Sequence, residues 1–124
     1  MDQLAYREID VAPRASGPVS IDRAHLSQMT LGDRTLEREV LELFDRQAEM
    51  LVARMDKVAS ACVPPLAHTL KGSARGIGAW DVATAAEALE LADGSAVEFE
   101  AAKRRLAGAV RNARKAIAEL LRAH

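Results

Sequence analysis

Residues 63–78 have the sequence VPPLAHTLKGSARGIG, and this stretch decides the fold class. Its apolar residues recur at three- and four-residue spacing, which is typical of a helix with one buried face. Proline is tolerated in a first helical turn, where its missing N–H has no partner, so the helix is predicted to open at Pro64-Pro65. We expect it to run to about Arg75 and to end in a tight turn at Gly76 and Gly78. The predicted buried residues are Val63, Ala67, Leu70, Ala74 and Ile77.

Four further helices are predicted around this one. They cover residues 21–30, 34–57, 79–92 and 96–121, with Asp22 and Asp33 as N-caps of the first two. Short connections favour antiparallel neighbours. We therefore expect an all-α fold, an antiparallel up-down four-helix bundle with an additional short N-terminal helix. Residues 1–20 are predicted to be a flexible leader, and residues 21–124 the bundle domain.

The expected inward residues of the other helices follow from the same spacing. On the first and second helices they are Ile21, Leu26, Met29, Leu36, Val40, Leu43, Phe44, Met50, Leu51, Met55 and Val58. On the last two they are Val82, Ala85, Ala86, Leu89, Leu106, Val110, Ala113, Ile117 and Leu120.

Composition narrows the classes of protein to consider. The chain has 124 residues and a net charge of −1, which favours one domain and argues against a general nucleic-acid binder. It lacks both a secretory signal pattern and an apolar run long enough for a membrane span. The single cysteine, Cys62, excludes an intramolecular disulfide, indicates a reducing cytoplasmic compartment and is predicted to be a small apolar filler. A monomer is expected.

One face of the predicted third helix combines residues that suit phosphoryl chemistry. Lys71 and Gly72 follow His68 by three and four residues and therefore share its face, and Arg75 extends that side. Imidazole is a nucleophile, and a neighbouring cation stabilises a phosphoryl group. Glycine disfavours a helix interior by about 1 kcal/mol relative to alanine, and here it leaves the histidine open to a partner.

The turn at Gly76–Gly78 brings a second helix beside this face. In an antiparallel hairpin the residue opposite His68 lies near position 87, where Glu87 and Glu90 share one side. A carboxylate that accepts the Nδ1 proton would fix the tautomer and leave Nε2 as the nucleophile. We favour Glu90 for this role and keep Glu87 as the second choice.

At these positions the sequence resembles the histidine-containing phosphotransfer (HPt) family. The resemblance covers roughly residues 22–121 and rests on HTLKGSA at 68–74, Gly78-Ala79, Leu89-Glu90, and LGD at 31–33 with EVLELF at 39–44. It implies a stoichiometric phosphoryl carrier, not a turnover enzyme. His68 would be phosphorylated, and the family's lysine, small residue and histidine-holding residue would correspond to Lys71, Gly72 and Glu90. Arg75 and Gly76 depart from the commoner turn, which bears on partner choice.

The resemblance also implies partners. They would be a response-regulator receiver domain, which supplies an aspartate and its divalent metal ion, and a sensor or hybrid histidine kinase; this chain would bind no cofactor or metal itself. Two alternatives remain open. One is a helical adaptor that binds a receiver or kinase without being phosphorylated, and the other is an anti-sigma or scaffold-like bundle that uses the basic last helix. His25 and His124 are interpreted as incidental.

Overall fold

The computed structural model describes residues 20–123, and this part of the chain is helical without strands. The leader prediction, apart from Ser20, and His124 lie outside the described residues. The five helices are α1 (Arg23–Met29), α2 (Arg34–Met55), α3 (Val63–Ile77), α4 (Trp80–Glu90) and α5 (Ala96–Ala123). The all-α prediction is confirmed. Helix α3 packs against α2 and α4, and α5 packs against the same two helices, which is consistent with the expected bundle.

The helix ends follow from caps that the sequence contains. The carboxylate of Asp22 accepts a hydrogen bond from the His25 N–H at 3.0 Å, and that of Asp33 accepts one from the Leu36 N–H at 3.0 Å. Both side chains satisfy N–H groups that lack intrahelical partners. Gly78, at φ +78°, ends α3 in the left-handed conformation that glycine adopts without strain. Both predicted N-caps are confirmed.

The core prediction is confirmed in full on α3. All five residues of its predicted apolar stripe are buried, as are the four predicted on α4. On α5 four of five are buried and Leu120 is only half-buried. On α3 and α5 the buried residues share one side of the helix, whereas α4 also buries Ala83, which the predicted stripe did not include.

The prediction for α2 was partly wrong. Leu36, Leu43 and Met50 are exposed, whereas Leu41 and Ala48 are buried. Helix α2 carries apolar residues on two sides, and only the side that includes Leu41 and Ala48 packs into the core. Periodicity cannot tell which of two apolar sides is covered. Met29 on α1 is exposed as well, while Val40 and Val58 are half-buried.

Three local expectations also differ from the structure. Helix α3 continues to Ile77, so Gly76 lies in the helix and only Gly78 makes the turn. Helix α2 ends two residues early, at Met55. Cys62 is exposed and not an apolar filler, because it lies in a short 3-10 turn (Ser60–Cys62) on the surface ahead of α3.

Helix α1 is fastened to the turn between α3 and α4 by a set of contacts that we call the α1 latch. The Asp22 N–H donates to the Gly78 carbonyl at 2.9 Å, and Trp80 Nε1–H donates to Asp22 Oδ2 at 2.9 Å. His25 Nε2 lies 2.9 Å from the Arg75 carbonyl oxygen, and its ring is 4.8 Å from that of Trp80. The latch holds the end of α3 and the start of α4 in place.

Candidate functional site

His68 lies one turn and a half into α3, on its outward side. Its side chain is 66% exposed, and its Nδ1 lies 2.7 Å from Oε2 of Glu90. Glu90 is the last residue of α4, and the short turn at Gly78 makes α3 and α4 antiparallel neighbours, so these two positions share one level. Of the two candidate carboxylates, the structure places Glu90 beside the imidazole.

The carboxylate of Glu90 joins His68 to Lys71. Its Oε1 lies 2.7 Å from Lys71 Nζ while Oε2 contacts the imidazole, so one carboxylate spans both side chains. The Lys71 side chain is 13% exposed and lies between α3 and α4. The hydrogen bond from Lys71 lowers the pKa of the Glu90 carboxyl from its usual 4.5, and the hydrogen bond from His68 lowers it further. Burial of the carboxylate opposes this shift but does not cancel it. We call these three residues the His68 clamp.

The clamp fixes which ring nitrogen of His68 is available. An ionised carboxylate only accepts hydrogen bonds, so Nδ1 carries the proton that is donated to Glu90. In the neutral ring Nε2 then holds the lone pair. Among residues 20–123 no hydrogen bond reaches Nε2. The geometry therefore presents an oriented nucleophile on an exposed surface.

Gly72 leaves open space one turn after His68. A Cβ built at this position would have no neighbour within 4 Å, and the same is true at Gly76. Neither glycine is therefore required by close helix packing. Gly72 and Gly76 therefore leave two positions without a side chain on the outward part of α3 beyond His68, next to Arg75.

Arg75 and Glu87 form a second rung between α3 and α4. Their charged groups are 3.8 Å apart, and both side chains are about half exposed. Glu87, the second choice as partner of His68, therefore faces Arg75. The guanidinium of Arg75 lies on the side of α3 that carries the clamp, whereas its backbone carbonyl belongs to the α1 latch.

A residue set that the sequence reasoning assigned to the core lies beside this site. Leu36, Leu43 and Met50 recur every seven residues and form an exposed apolar stripe on α2. Asp45, on the opposite side of α2, forms an ion pair with Arg114 of α5. The side of α2 that carries the stripe is therefore the one next to α3. Met50 is five residues from the end of α2 and His68 five from the start of α3, which puts them at one level. The sequence feature that could have revealed this exposed stripe is the second apolar side of α2.

Metal ligands are not grouped here. Within residues 20–123, histidine, cysteine and carboxylate side chains nowhere gather in threes at metal-binding distance. In the same part of the chain, no helix is both long and apolar enough to cross a membrane.

Comparison with known proteins agrees with this geometry. The Hpt domain family model matches residues 37–123. The chain belongs to the Hpt family. It is also similar to the crystal structure of the histidine phosphotransferase ShpA from Caulobacter crescentus, with 28% identity and a TM-score of 0.55 over 83% of this chain and 99% of that one. No curated protein matches the sequence closely enough to be compared.

Membership of the Hpt family gives the chain a phosphotransfer role in a phosphorelay. Hpt proteins carry phosphoryl groups and interact with receiver domains and kinases. The individual roles of His68, Lys71, Gly72 and Glu90 remain predictions, which the clamp geometry now makes specific.

Proposed function

We propose that this Hpt protein carries a phosphoryl group on Nε2 of His68, accepting it from a receiver aspartate or a kinase and passing it to a receiver aspartate. The observation that carries the proposal is the His68 clamp, in which Nδ1 lies 2.7 Å from Glu90. When the donor is a receiver aspartate, the Nε2 lone pair attacks phosphorus, the bond from phosphorus to the carboxylate oxygen breaks, and the aspartate leaves as a free carboxylate. When the donor is a phosphohistidine of a kinase, the phosphorus–nitrogen bond breaks and the donor imidazole leaves with the electron pair.

Glu90 has a part in the charge balance of this step. Attack by the neutral ring produces a phosphorylated imidazolium, whose Nδ1–H remains hydrogen-bonded to the Glu90 carboxylate. A carboxylate stabilises that developing positive charge and keeps the ring oriented. Onward transfer reverses these changes, with Nε2 as the leaving group.

Lys71 has a complementary part. Its ammonium is held 2.7 Å from Glu90, one helical turn after His68. A phosphoryl group on Nε2 brings about two negative charges to this side. We propose that Lys71 then turns from Glu90 to a phosphoryl oxygen, and stabilises the bound group as a point charge.

The surface around the clamp suits a receiver domain as partner. The glycines of α3 leave room for an approaching loop, and the exposed stripe Leu36–Leu43–Met50 offers apolar contact area at the level of His68. The divalent ion of the reaction would belong to the receiver. We place the protein in the cytoplasm, as a stoichiometric carrier and not a turnover enzyme, with a sensor or hybrid histidine kinase upstream.

The test is phosphoryl transfer from a panel of ³²P-labelled receiver domains and kinases to wild type, His68→Gln and His25→Gln. We expect acid-labile, base-stable label on wild type and on His25→Gln, and none on His68→Gln, with equal helical circular dichroism for all three. Label on His68→Gln would overturn the assignment. Binding of a receiver without label on wild type would favour the adaptor alternative.

A further inference from the structure

Charge is unevenly divided between α5 and the remainder of the chain. Residues 96–123 contain seven lysines and arginines and three glutamates, so α5 has a net charge of +4. The remaining residues are net −5, which gives the chain its charge of −1. A near-neutral protein therefore carries one strongly basic helix. The positive electrostatic potential around such a helix attracts negatively charged partners.

The cations of α5 fall into two groups with different surroundings. Lys103 and Arg114 lie on the side that faces α2, where Lys103 pairs with Asp56 and Arg114 with Asp45 and Glu49. Those contacts hold α5 to α2. The other five cations, in contrast, form no ion pair with any other residue between 20 and 123, and all are exposed: Arg104, Arg105, Arg111, Lys115 and Arg122.

Four of these, Arg104, Arg111, Lys115 and Arg122, share one line along the outward side of the helix, whereas Arg105 lies about 100° to one side. Their spacings of seven, four and seven residues place them within about 40° of each other around the helix axis, over roughly 27 Å of its length. We call this line the α5 basic face. Two carboxylates flank this line, Glu100 one turn before Arg104 and Glu119 beside its C-terminal part, so the positive charge is densest between Arg104 and Lys115.

Gly108 lies in the middle of this dense part. The position of a Cβ at Gly108 is 3.6 Å from Nη2 of Arg111, so that guanidinium lies back over the bare backbone and toward Arg104. Guanidinium groups suit planar, two-point recognition of carboxylates.

The α5 basic face is turned away from His68. Helix α5 packs on α2 and α4 and has no extended contact with α3, so the two helices are diagonal in the bundle. The outward side of α5 and the outward side of α3 therefore face opposite directions. A partner on one face leaves the other accessible.

We propose that the α5 basic face is a second docking surface, for an acidic helical segment of a partner protein, used independently of phosphoryl transfer. We choose an acidic helix as the partner because of the charge pattern of the α5 basic face. A line of four cations in helical register matches carboxylates in the same register on a second helix. The chain as a whole has a net charge of −1 and is not clearly basic, which argues against nucleic acid and anionic membranes as partners.

The test uses a 22-residue alanine-based peptide with four glutamates at spacings of seven, four and seven, and a scrambled peptide of the same composition. Fluorescence anisotropy with the full chain measures affinity at two salt concentrations. We expect the patterned peptide to bind at least about tenfold more tightly than the scrambled one, and more weakly at high salt. R104E/R111E/K115E should lose this binding at least tenfold, while R104K/R111K/K115R and H68Q should retain it.

Several results would overturn the proposal. They are equal affinity for the two peptides, unchanged binding by the charge-reversed protein, tighter binding of duplex DNA or of phosphatidylserine vesicles, or self-association of the chain through this face in sedimentation. Thermal melts of each variant show whether the fold is intact. The lysine–arginine exchange variant separates loss of charge from loss of structure.

Discussion

The chain holds two described histidines in opposite arrangements. His68 donates from Nδ1 to the Glu90 carboxylate, and its Nε2 is open. His25 is bound through Nε2, which must donate because the Arg75 carbonyl oxygen only accepts, and its ring lies against Trp80. The two rings therefore present opposite nitrogens. The partner of each ring, and not the residue type, determines which imidazole is a nucleophile and which one holds a helix.

Among changes to the partners of the two histidines, replacement of Glu90 is expected to have the largest effect, on the rate of phosphoryl acceptance. Replacing Glu90 with alanine frees the ring of His68 and removes the charge that balances the phosphorylated imidazolium, so we expect phosphoryl acceptance to slow about 10- to 100-fold. Glu90→Gln keeps an acceptor for the Nδ1–H but removes the negative charge. Its rate of phosphoryl acceptance should lie between those of Glu90→Ala and wild type. Single-turnover transfer from a labelled receiver measures the rates. Equal rates for Glu90→Ala and wild type would show that the clamp does not orient the nucleophile.

The clamp should also have a defined pH range. Because Lys71 and then His68 lower the pKa of Glu90 from 4.5, the carboxylate remains ionised at every pH above that value. The difference in rate between wild type and Glu90→Gln should therefore persist from neutral pH to about pH 5. A difference that disappears well above pH 5 would contradict the charge assignment.

The next effect concerns the latch that holds His25. Gly78→Ala should destabilise the fold by about 2–4 kcal/mol, because a left-handed conformation alone costs a residue with a Cβ about 1–2 kcal/mol and strain adds to this. The added Cβ would lie 2.9 Å from both the Cβ and the carbonyl oxygen of Asp22. Urea unfolding measures the loss. A cost below 0.5 kcal/mol, on the order of an ordinary surface change, would show that the latch gives way easily.

A smaller effect on the latch is expected from Trp80→Phe. It removes the hydrogen bond to Asp22, worth about 0.5–1.5 kcal/mol of unfolding free energy. The Trp80 hydrogen bond and the His25 N–H lower the pKa of Asp22 below 3.8. The ionised Asp22 carboxylate therefore stabilises the fold fully above pH 3.8. This stabilisation is lost as the pH falls through the lower pKa of Asp22 in the folded state. The stability difference between wild type and variant should shrink in acid, and a constant difference would contradict this account.

The smallest effects separate the two glycines of α3. Gly72→Ala and Gly76→Ala should each stabilise the fold by about 0.5–1 kcal/mol, since both are helix-interior glycines in open space. Gly72→Leu should slow transfer more than Gly76→Leu, because Gly72 is one turn from His68. Equal slowing by the two leucines would mean that access at Gly72 has no special importance.

The sequence contained most of what is needed for α3 and α4. The buried stripe of α3 and the turn at Gly78 followed from helical spacing and the glycines, whereas spacing put position 87 opposite His68 and the structure puts Glu90 there, three residues further on. The same reasoning placed Leu43 and Met50 in the core, because α2 has two apolar sides and spacing does not say which one other helices cover.

The latch could not be predicted in the same way. His25 meets the Arg75 carbonyl across 50 residues of chain, and Trp80 meets Asp22 across 58. These contacts depend on where α1 lies relative to the turn between α3 and α4, which local pattern does not determine. His25 therefore looked incidental in sequence, although it is part of the latch. The exposure of Cys62 depends on tertiary placement in the same manner.

The most direct test of the account is the identity of the phosphorylated nitrogen. Protein labelled with ¹⁵N in its histidines, phosphorylated by a receiver or kinase that transfers to it, would be studied by NMR through ¹⁵N–³¹P coupling. We expect phosphorus on Nε2 of His68, with the Nδ1 proton retained on the ring. Phosphorus on Nδ1 of His68, or on His25, would contradict it.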